Sequence, residues 1–350
     1  MSGNKIKIFL QILFLTSEFL LTSCTSVIMQ KVAQPRPGIP VDGKIAVVYS
    51  SRYGIYLYGL EKLHPFDIKK YEEIYTELVR NKELAPENIF VPGPLADKDI
   101  LLVQTQDFLN SLNDSDTIAE YLEAPQTAYL PVSVLKSRII QPFRTASGGT
   151  LLAAEKALEF GTGINIGGGY HHAKPFCGEG FCIFADIPIA IRKLQKEGKI
   201  RRALVIDLDV HQGNGTALCL DKDDQVFTFS MHEGDIYPVP KEHSDLDIEM
   251  NAGDGDREVL EKLEFVFPKI FEQAAPDIVF YVAGCDMLAG DPLADMQMTE
   301  TGIKKRDAMV IQECWKRNIP VVMTLGGGYS KNAWHVQYES IKNILHLTND

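Results

Sequence analysis

Apolar residues along this chain fall into two kinds of run. One kind is short and unbroken. Residues 45–50, 163–166, 203–209, 226–231, 277–284 and 320–325 carry such runs, among them Ala203-Leu204-Val205-Ile206 and Ile278-Val279-Phe280-Tyr281-Val282. Continuous apolar stretches of this length mark strands buried on both faces. The other kind spaces its apolar positions three and four apart. It predicts helices over residues 66–81, 146–160, 183–197, 257–273, 301–317 and 334–345. Pro268 falls inside the fourth helix and predicts a break or kink there. No internal repeat and no low-complexity tract interrupts the series.

Strands that alternate with helices imply an α/β fold with a mostly parallel central sheet covered on both faces. Ligands of such sheets bind beyond the carboxyl ends of the strands. Here each strand from residue 163 onward runs into glycine or into unusual polar residues. The five segments are Gly167-Gly168-Gly169-Tyr170-His171-His172, Asp207 to Gly215, Ser230-Met231-His232, Gly284-Cys285-Asp286 and Gly326-Gly327-Gly328-Tyr329. They are expected on one edge of the sheet.

The segment Asp207-Leu208-Asp209-Val210-His211 follows an apolar run. If the strand continues through it, positions 207, 209 and 211 share one face. Two buried carboxylates in close proximity need a cation or strong hydrogen bonds. A metal held by Asp209 and His211 meets that need, and Asp286 is the expected third ligand, leaving an open position as catalytic zinc sites do. A strand-end hydrogen-bond pair is the alternative. The pair His171-His172, on a glycine-rich turn, suits general acid and base work, with Asp207 and Asn214 as orienting partners. Tyr329, after three glycines, is placed to donate to a developing oxyanion; a core tyrosine is the alternative. His64, His243, His335 and His346 read as structural or solvated, and the charged stretch 193–202 as a solvated face. No Gly-x-Ser-x-Gly elbow is present, and the glycine runs match neither Rossmann nor Walker spacing.

Length and charge narrow the partners. The 350 residues fit one large domain or two small ones, and the formal charge is −12. So acidic a chain is ill suited to nucleic acid, whose binding rests on Lys and Arg; a cationic substrate suits it better. Residues 1–24 stand apart. Lys5 and Lys7 precede an apolar run that ends in Leu21-Thr22-Ser23-Cys24, which resembles a bacterial lipoprotein signal with Cys24 as the lipidated residue. That places the mature protein on a membrane, facing the periplasm or cell surface; the alternative is an uncleaved, buried helix in a cytoplasmic protein. Prolines 35, 37 and 40 make residues 25–40 a linker. Cys177, Cys182, Cys219, Cys285 and Cys314 show no metal-site or disulfide spacing and read as buried free thiols.

Taken together, the Asp207 to Gly215 segment, Gly-Gly-Gly-Tyr-His-His, Gly180-Phe181-Cys182 and Cys285-Asp286-Met287-Leu288-Ala289-Gly290-Asp291-Pro292 resemble the histone deacetylase superfamily, over residues 44–345. Residues 59–67, 144–150 and 302–307 look like its class IV branch. The resemblance implies a single-domain, three-layer arginase/deacetylase-like fold over residues 41–350. It implies zinc-dependent hydrolysis of an N-acyl amide such as acetyl-lysine or a longer acyl-lysine. Zn²⁺ would sit on Asp209, His211 and Asp286. His172 would be the general base for a metal-activated water, and His171, with Asp207, the electrostatic or acid partner. Asn214 would orient His172, and Tyr329 would bind the acyl oxygen. Phe181 and Tyr237 would flank the acyl-lysine tunnel, with Gly169 also touching substrate. A structural K⁺ would use Asp207, Asp209, His211, Ser230 and Met231. Three features depart from class I relatives. Asn214 and Gln212 stand in place of Asp and His, Gln104 stands where His is frequent, and Asp97 and Asp99 only neighbour the expected substrate-gripping acid. Three alternatives stay open: an acetylpolyamine amidohydrolase, a non-catalytic acyl-binding surface lipoprotein, and a binuclear arginase-like hydrolase.

Overall fold

The computed structural model describes residues 44–347. The expected signal segment 1–24, its Cys24 and the linker 25–40 lie outside these residues. Eight strands form one sheet: β1 Ala46–Val48, β2 Ile89–Phe90, β3 Thr162–Asn165, β4 Ala203–Asp207, β5 Val226–Glu233, β6 Leu246–Met250, β7 Ile278–Val282 and β8 Val321–Thr324. Their spatial order is β2-β1-β3-β8-β7-β4-β5-β6, and every neighbouring pair is parallel.

Side chains alternate between the two faces, as the period of a strand requires. From β7, Ile278, Phe280 and Val282 join one apolar cluster, together with Ala203, Val205 and Val322. Val279 and Tyr281 join the other, with Leu204, Ile206 and Met323. Helices α2 Gln141–Phe160 and α3 Asp186–Lys196 cover the first face through Ala153, Ala157, Ile187 and Ile191. The second cluster takes Ile74 and Leu78 from α1 Lys70–Arg80, Leu263 and Phe267 from α4 Asp256–Ala274, Val310 from α5 Glu300–Lys316, and Ile341 from α6 Ala333–Leu345. The expected three-layer α/β architecture is therefore present. Because all strands run one way, the carboxyl ends of β3, β8, β7, β4 and β5, five adjacent strands, open on a single edge.

The structure departs from the pattern-based expectations at four places. Strand β4 stops at Asp207, two residues short: Leu208 N still donates to Val282 O at 3.1 Å, but Asp209 N then donates to Asp207 Oδ1 and His211 N to Asp209 Oδ1, both at 3.1 Å. Asp207, Asp209 and His211 thus sit on a staircase of side-chain-to-backbone bonds rather than on one strand face. Helix α2 starts at Gln141, ahead of residue 146, and is entered through a π-helical turn, Lys136–Ile140. Helix α4 continues through Pro268 without a break; Pro268 is exposed, so water can reach the backbone it leaves unpaired. Strands β2 and β6 and the short helices Gln106–Ser111 and Ser115–Tyr121, N-capped by Thr105 and Asp114, were not anticipated. No helix among the described residues is long and apolar enough to cross a membrane, and all five described cysteines are free thiols.

One buried ion pair ties α5 to the end of β4. Arg306 is fully buried; its Nε donates to Asp307 Oδ1 at 2.9 Å and its Nη1 to Leu208 O at 3.0 Å. Tyr281 also donates to Asp307, at 2.5 Å. Removing one partner of such a pair strands the other charge in the core. Arg306→Leu is expected to lower unfolding free energy by roughly 3–5 kcal/mol, read as a shift in the chemical-denaturation midpoint; a midpoint unchanged from the parent would refute the role given to this pair.

Candidate active site

Asp209, His211 and Asp286 converge beyond β4 and β7. One ligand-capable atom from each lies within 4.8 Å of the others, and all three are buried. Backbone donors set the carboxylates: Gly327 N donates to Asp209 Oδ2 at 2.6 Å, and Val210 N to Asp286 Oδ1 at 2.9 Å. The β8 loop comes so close that a Cβ on Gly327 would lie 2.1 Å from Asp286 Oδ2, so only glycine leaves room for the cluster.

The electrostatics are those of a cation site. Asp286 is pushed up to about 7, by burial first and then by the Asp209 carboxylate. Burial also opposes ionisation of Asp209, but His171 and His211 outweigh it and hold that carboxyl well below its usual range. Burial would lower His211, yet the adjacent Asp209 and Asp286 carboxylates push it up to about 10. Asp286 Oδ2 accepts no hydrogen bond, and its close cationic neighbour is His211 Nδ1 at 3.3 Å. Two carboxylates and one imidazole, fully desolvated and with Asp286 Oδ2 free of any hydrogen-bond donor, fit a divalent ion such as Zn²⁺.

The histidine pair enters from the loop after β3. Asp186, buried at the start of α3, accepts from Gly169 N and Tyr170 N, both at 2.9 Å, and from Thr150 Oγ1 at 2.5 Å. The next two side chains then face the cluster. His171 Nδ1 lies 2.8 Å from Asp207 Oδ2, and His172 Nδ1 lies 2.7 Å from Asn214 Oδ1. Their states diverge. Burial lowers both, but the Asp207 and Asp209 charges push His171 up to about 9. His172 is bonded to an amide rather than a carboxylate and falls well below its usual value, because burial and the two neighbouring histidines outweigh Asp209. At neutral pH one ring is charged and the other is a free base, the separation that assigns distinct roles.

Tyr329 closes the other side. Asp291 fixes its backbone by accepting from Tyr329 N at 2.8 Å and Ser330 N at 3.1 Å. Lys70, buried in α1, donates to Gly326 O and Gly327 O, both at 3.1 Å, and lies 4.3 Å from the centre of the Phe66 ring. The Tyr329 ring stands edge-on to His211 and Phe181, at centroid distances of 6.0 and 6.1 Å. A pocket of about 850 Å³, counting its open mouth, leads to these groups. Gly169, His171, His172, Phe181 and Tyr329 line it, together with Leu57, Leu122, Ile139 and Phe143.

The remaining sequence candidates divide. Tyr237 stacks edge-on against His172 at 5.0 Å and flanks the site from outside the pocket wall. Ser230 is the register partner of Asp207, with its hydroxyl 2.9 Å from His232 Nδ1, and Met231 is buried in the core. Gln104 and Gln212 are spent on backbone groups, Gln104 on Lys174 O and Ile183 O and Gln212 on Glu242 O. Asp97 pairs with Arg144 and Asp99 with Lys193, so neither faces the site. His64 is structural, as expected, with Nε2 2.9 Å from Leu122 O, but its ring packs on Phe181 at the pocket wall. Lys70, Glu179, Asp186 and Asp291 escaped the sequence reading. Each acts through backbone groups or a second side chain, and no local spacing marks such a role.

Comparisons with known proteins point to one family. A model of the histone deacetylase domain matches residues 64–345. Histone deacetylase 2 of Arabidopsis thaliana is 38% identical over 304 residues, 86% of this chain and 79% of the relative. An uncharacterised protein of Picosynechococcus is 37% identical over 297 residues, 83% and 94% of the two chains. Acetoin utilization protein AcuC of Staphylococcus aureus is 28% identical over 312 residues, 84% and 78%. Among solved structures, the HDA15 HD domain superposes with a TM-score of 0.69 at 20% identity, covering 86% of this chain and 90% of that one, a likeness of fold. With the domain match spanning most of its length and relatives this similar, the chain belongs to the histone deacetylase superfamily.

Proposed function

We propose that this protein is a zinc-dependent deacylase that cleaves the amide of an acyl-lysine or a related acylated amine. The family supports amide hydrolysis of the deacetylase kind. The observation that carries the finer reading is an apolar pocket that ends on His172, Tyr329 and Gly327, with the Asp209–His211–Asp286 cluster packed directly behind Gly327.

Asp209, His211 and Asp286 would hold the ion. Bound there, Zn²⁺ supplies Lewis acidity toward the amide carbonyl and lowers the pKa of water. His172 takes the proton of the attacking water at Nε2, since Nδ1 is engaged with Asn214. His171, kept charged by Asp207, offsets the negative charge that develops beside it. The Tyr329 hydroxyl donates to the oxyanion, and His172 returns its proton to the leaving amine. Phe181 lines the approach of the acylated side chain, while Tyr237, expected beside it, backs His172 from outside the pocket wall. A structural K⁺ over Asp207, Asp209, His211, Ser230 and Met231 belongs to the same reading, supported by the register of Ser230 beside Asp207. So does lipidation of Cys24, which the sequence of residues 1–24 supports.

The apolar lining, with Leu57, Leu122, Ile139 and Phe143, favours a long acyl chain over acetyl. Turnover of a panel of acyl-lysines and acylpolyamines tests this. The full chain is expected to prefer long-chain acyl-lysine, to lose activity with a chelator, and to regain it with Zn²⁺, while Asp286→Asn stays inactive and binds zinc poorly. Full activity of Asp286→Asn would refute the ligand assignment; binding of acyl-lysine without turnover after zinc is restored would favour a non-catalytic acyl-binding role.

Tyr329→Phe removes only the hydroxyl. It is expected to lower kcat by roughly 10²–10³-fold with little change in KM, as loss of an oxyanion donor does. A KM effect with kcat intact would instead make Tyr329 a binding residue.

A further inference from the structure

The turn that presents Phe181 also carries a carboxylate that the reaction scheme does not use. Glu179 and Cys182 face each other across a tight antiparallel bridge, Glu179 N donating to Cys182 O at 3.0 Å and Cys182 N to Glu179 O at 2.9 Å. The two residues between them, Gly180 and Phe181, have φ of 53° and 66°, the backbone of a type I′ turn. A Cβ on Gly180 would lie 2.5 Å from His172 Cδ2, so the turn lies directly against that imidazole. From its base Glu179 Oε1 accepts from Asn214 Nδ2 at 3.0 Å and from Tyr237 OH at 2.7 Å. Its other oxygen is paired with Lys174.

The polarity of this chain of bonds matters more than its length. An asparagine amide has a donor end and an acceptor end, and nothing in Asn214 alone decides which faces His172. An ionised carboxylate only accepts. Burial would raise Glu179, but the bonds from Lys174, Tyr237 and Asn214 outweigh it and keep the carboxyl below its usual range. Glu179 therefore draws the amide NH₂ outward and leaves Oδ1 toward His172. Because Oδ1 only accepts, the hydrogen of the neutral imidazole sits on Nδ1, and Nε2 keeps its lone pair.

We propose that Glu179 is a positioning residue: through Asn214 it fixes His172 as the Nδ1–H tautomer, and through Tyr237 it holds an aromatic wall against the same ring. The contrast with His171 supports this. There a carboxylate touches the imidazole and charges it; here the carboxylate stands one side chain away, orienting the ring without charging it. The proposal rests on the reading of His172 as the base of a deacylase.

A double-mutant cycle on the metal-loaded full chain tests it, with ¹⁵N spectra of the His172 imidazole as a readout independent of turnover. In Glu179→Gln the amide can turn either way, so kcat is expected to fall on the order of tenfold or more, and the spectrum to show mixed tautomers. In Asn214→Asp two carboxylates meet across the present 3.0 Å contact, with a comparable loss. In the double variant the new amide at position 179 donates to the new carboxylate at position 214, which again accepts from His172. There the spectrum is expected to return to the Nδ1–H form, and kcat to regain about tenfold over either single variant once the pH is set above the raised pKa that a touching carboxylate gives His172, with KM little changed. Additive losses, or a Glu179→Gln spectrum still showing only the Nδ1–H form, would overturn the proposal. Should Asn214→Asp fail to fold, the Glu179→Gln spectrum decides alone. Absence of turnover in the parent chain would sink the deacylase reading, yet the spectra would still decide the role of Glu179.

Discussion

Two carboxylates, Asp209 and Asp286, are held side by side where water does not reach. Everything else in this fold is arranged around that conflict. Desolvation and mutual repulsion both favour protonating one of them, and Asp286 is accordingly driven up to about 7. Neither can move away, because backbone amides of Gly327 and Val210 grip them. A cation between the carboxylates would resolve the conflict, and His211, close to both, would complete the donor set. The cluster as folded fits a metal, which is the basis of the zinc site proposed above.

That demand can be met because one sheet edge collects side chains from distant parts of the chain. Five adjacent parallel strands end together, and each contributes a loop. The loops are then fixed by buried polar groups that touch no reacting atom. Asp186 holds the His171-His172 turn, Asp291 the backbone of Tyr329, Lys70 the carbonyls of Gly326 and Gly327, and Arg306 the carbonyl of Leu208. Each commits a buried ionisable side chain to backbone groups that no regular element satisfies. Rigid support of this kind lets two neighbouring histidines hold opposite protonation states, since small shifts of Asp207 or Asn214 would erase the difference.

Much of this was legible in the residues. The unbroken apolar runs gave six of the eight strands, and the residues after them gave the buried Asp209–His211–Asp286 cluster, the histidine pair and Tyr329. Strand β6 alternates Leu246, Ile248 and Met250 with Asp247 and Glu249, and so short an alternation is not an unbroken apolar run. The end of β4 was misplaced because the competing acceptors are the very side chains of interest, Asp207 and Asp209, and a strand pattern does not register them. Glu179, Lys70 and Asp186 were invisible for another reason. Their partners lie 35, 256 and 17 positions away, so only the folded chain brings donor to acceptor. The short helices between β2 and α2 carry too few apolar positions for a period to emerge.

Anomalous diffraction at the zinc edge, on crystals grown with excess zinc, locates the ion. A single strong peak bounded by the Asp209 and Asp286 carboxylates and the His211 imidazole is expected. A peak elsewhere, or these three side chains turned apart with nothing between them, would contradict it.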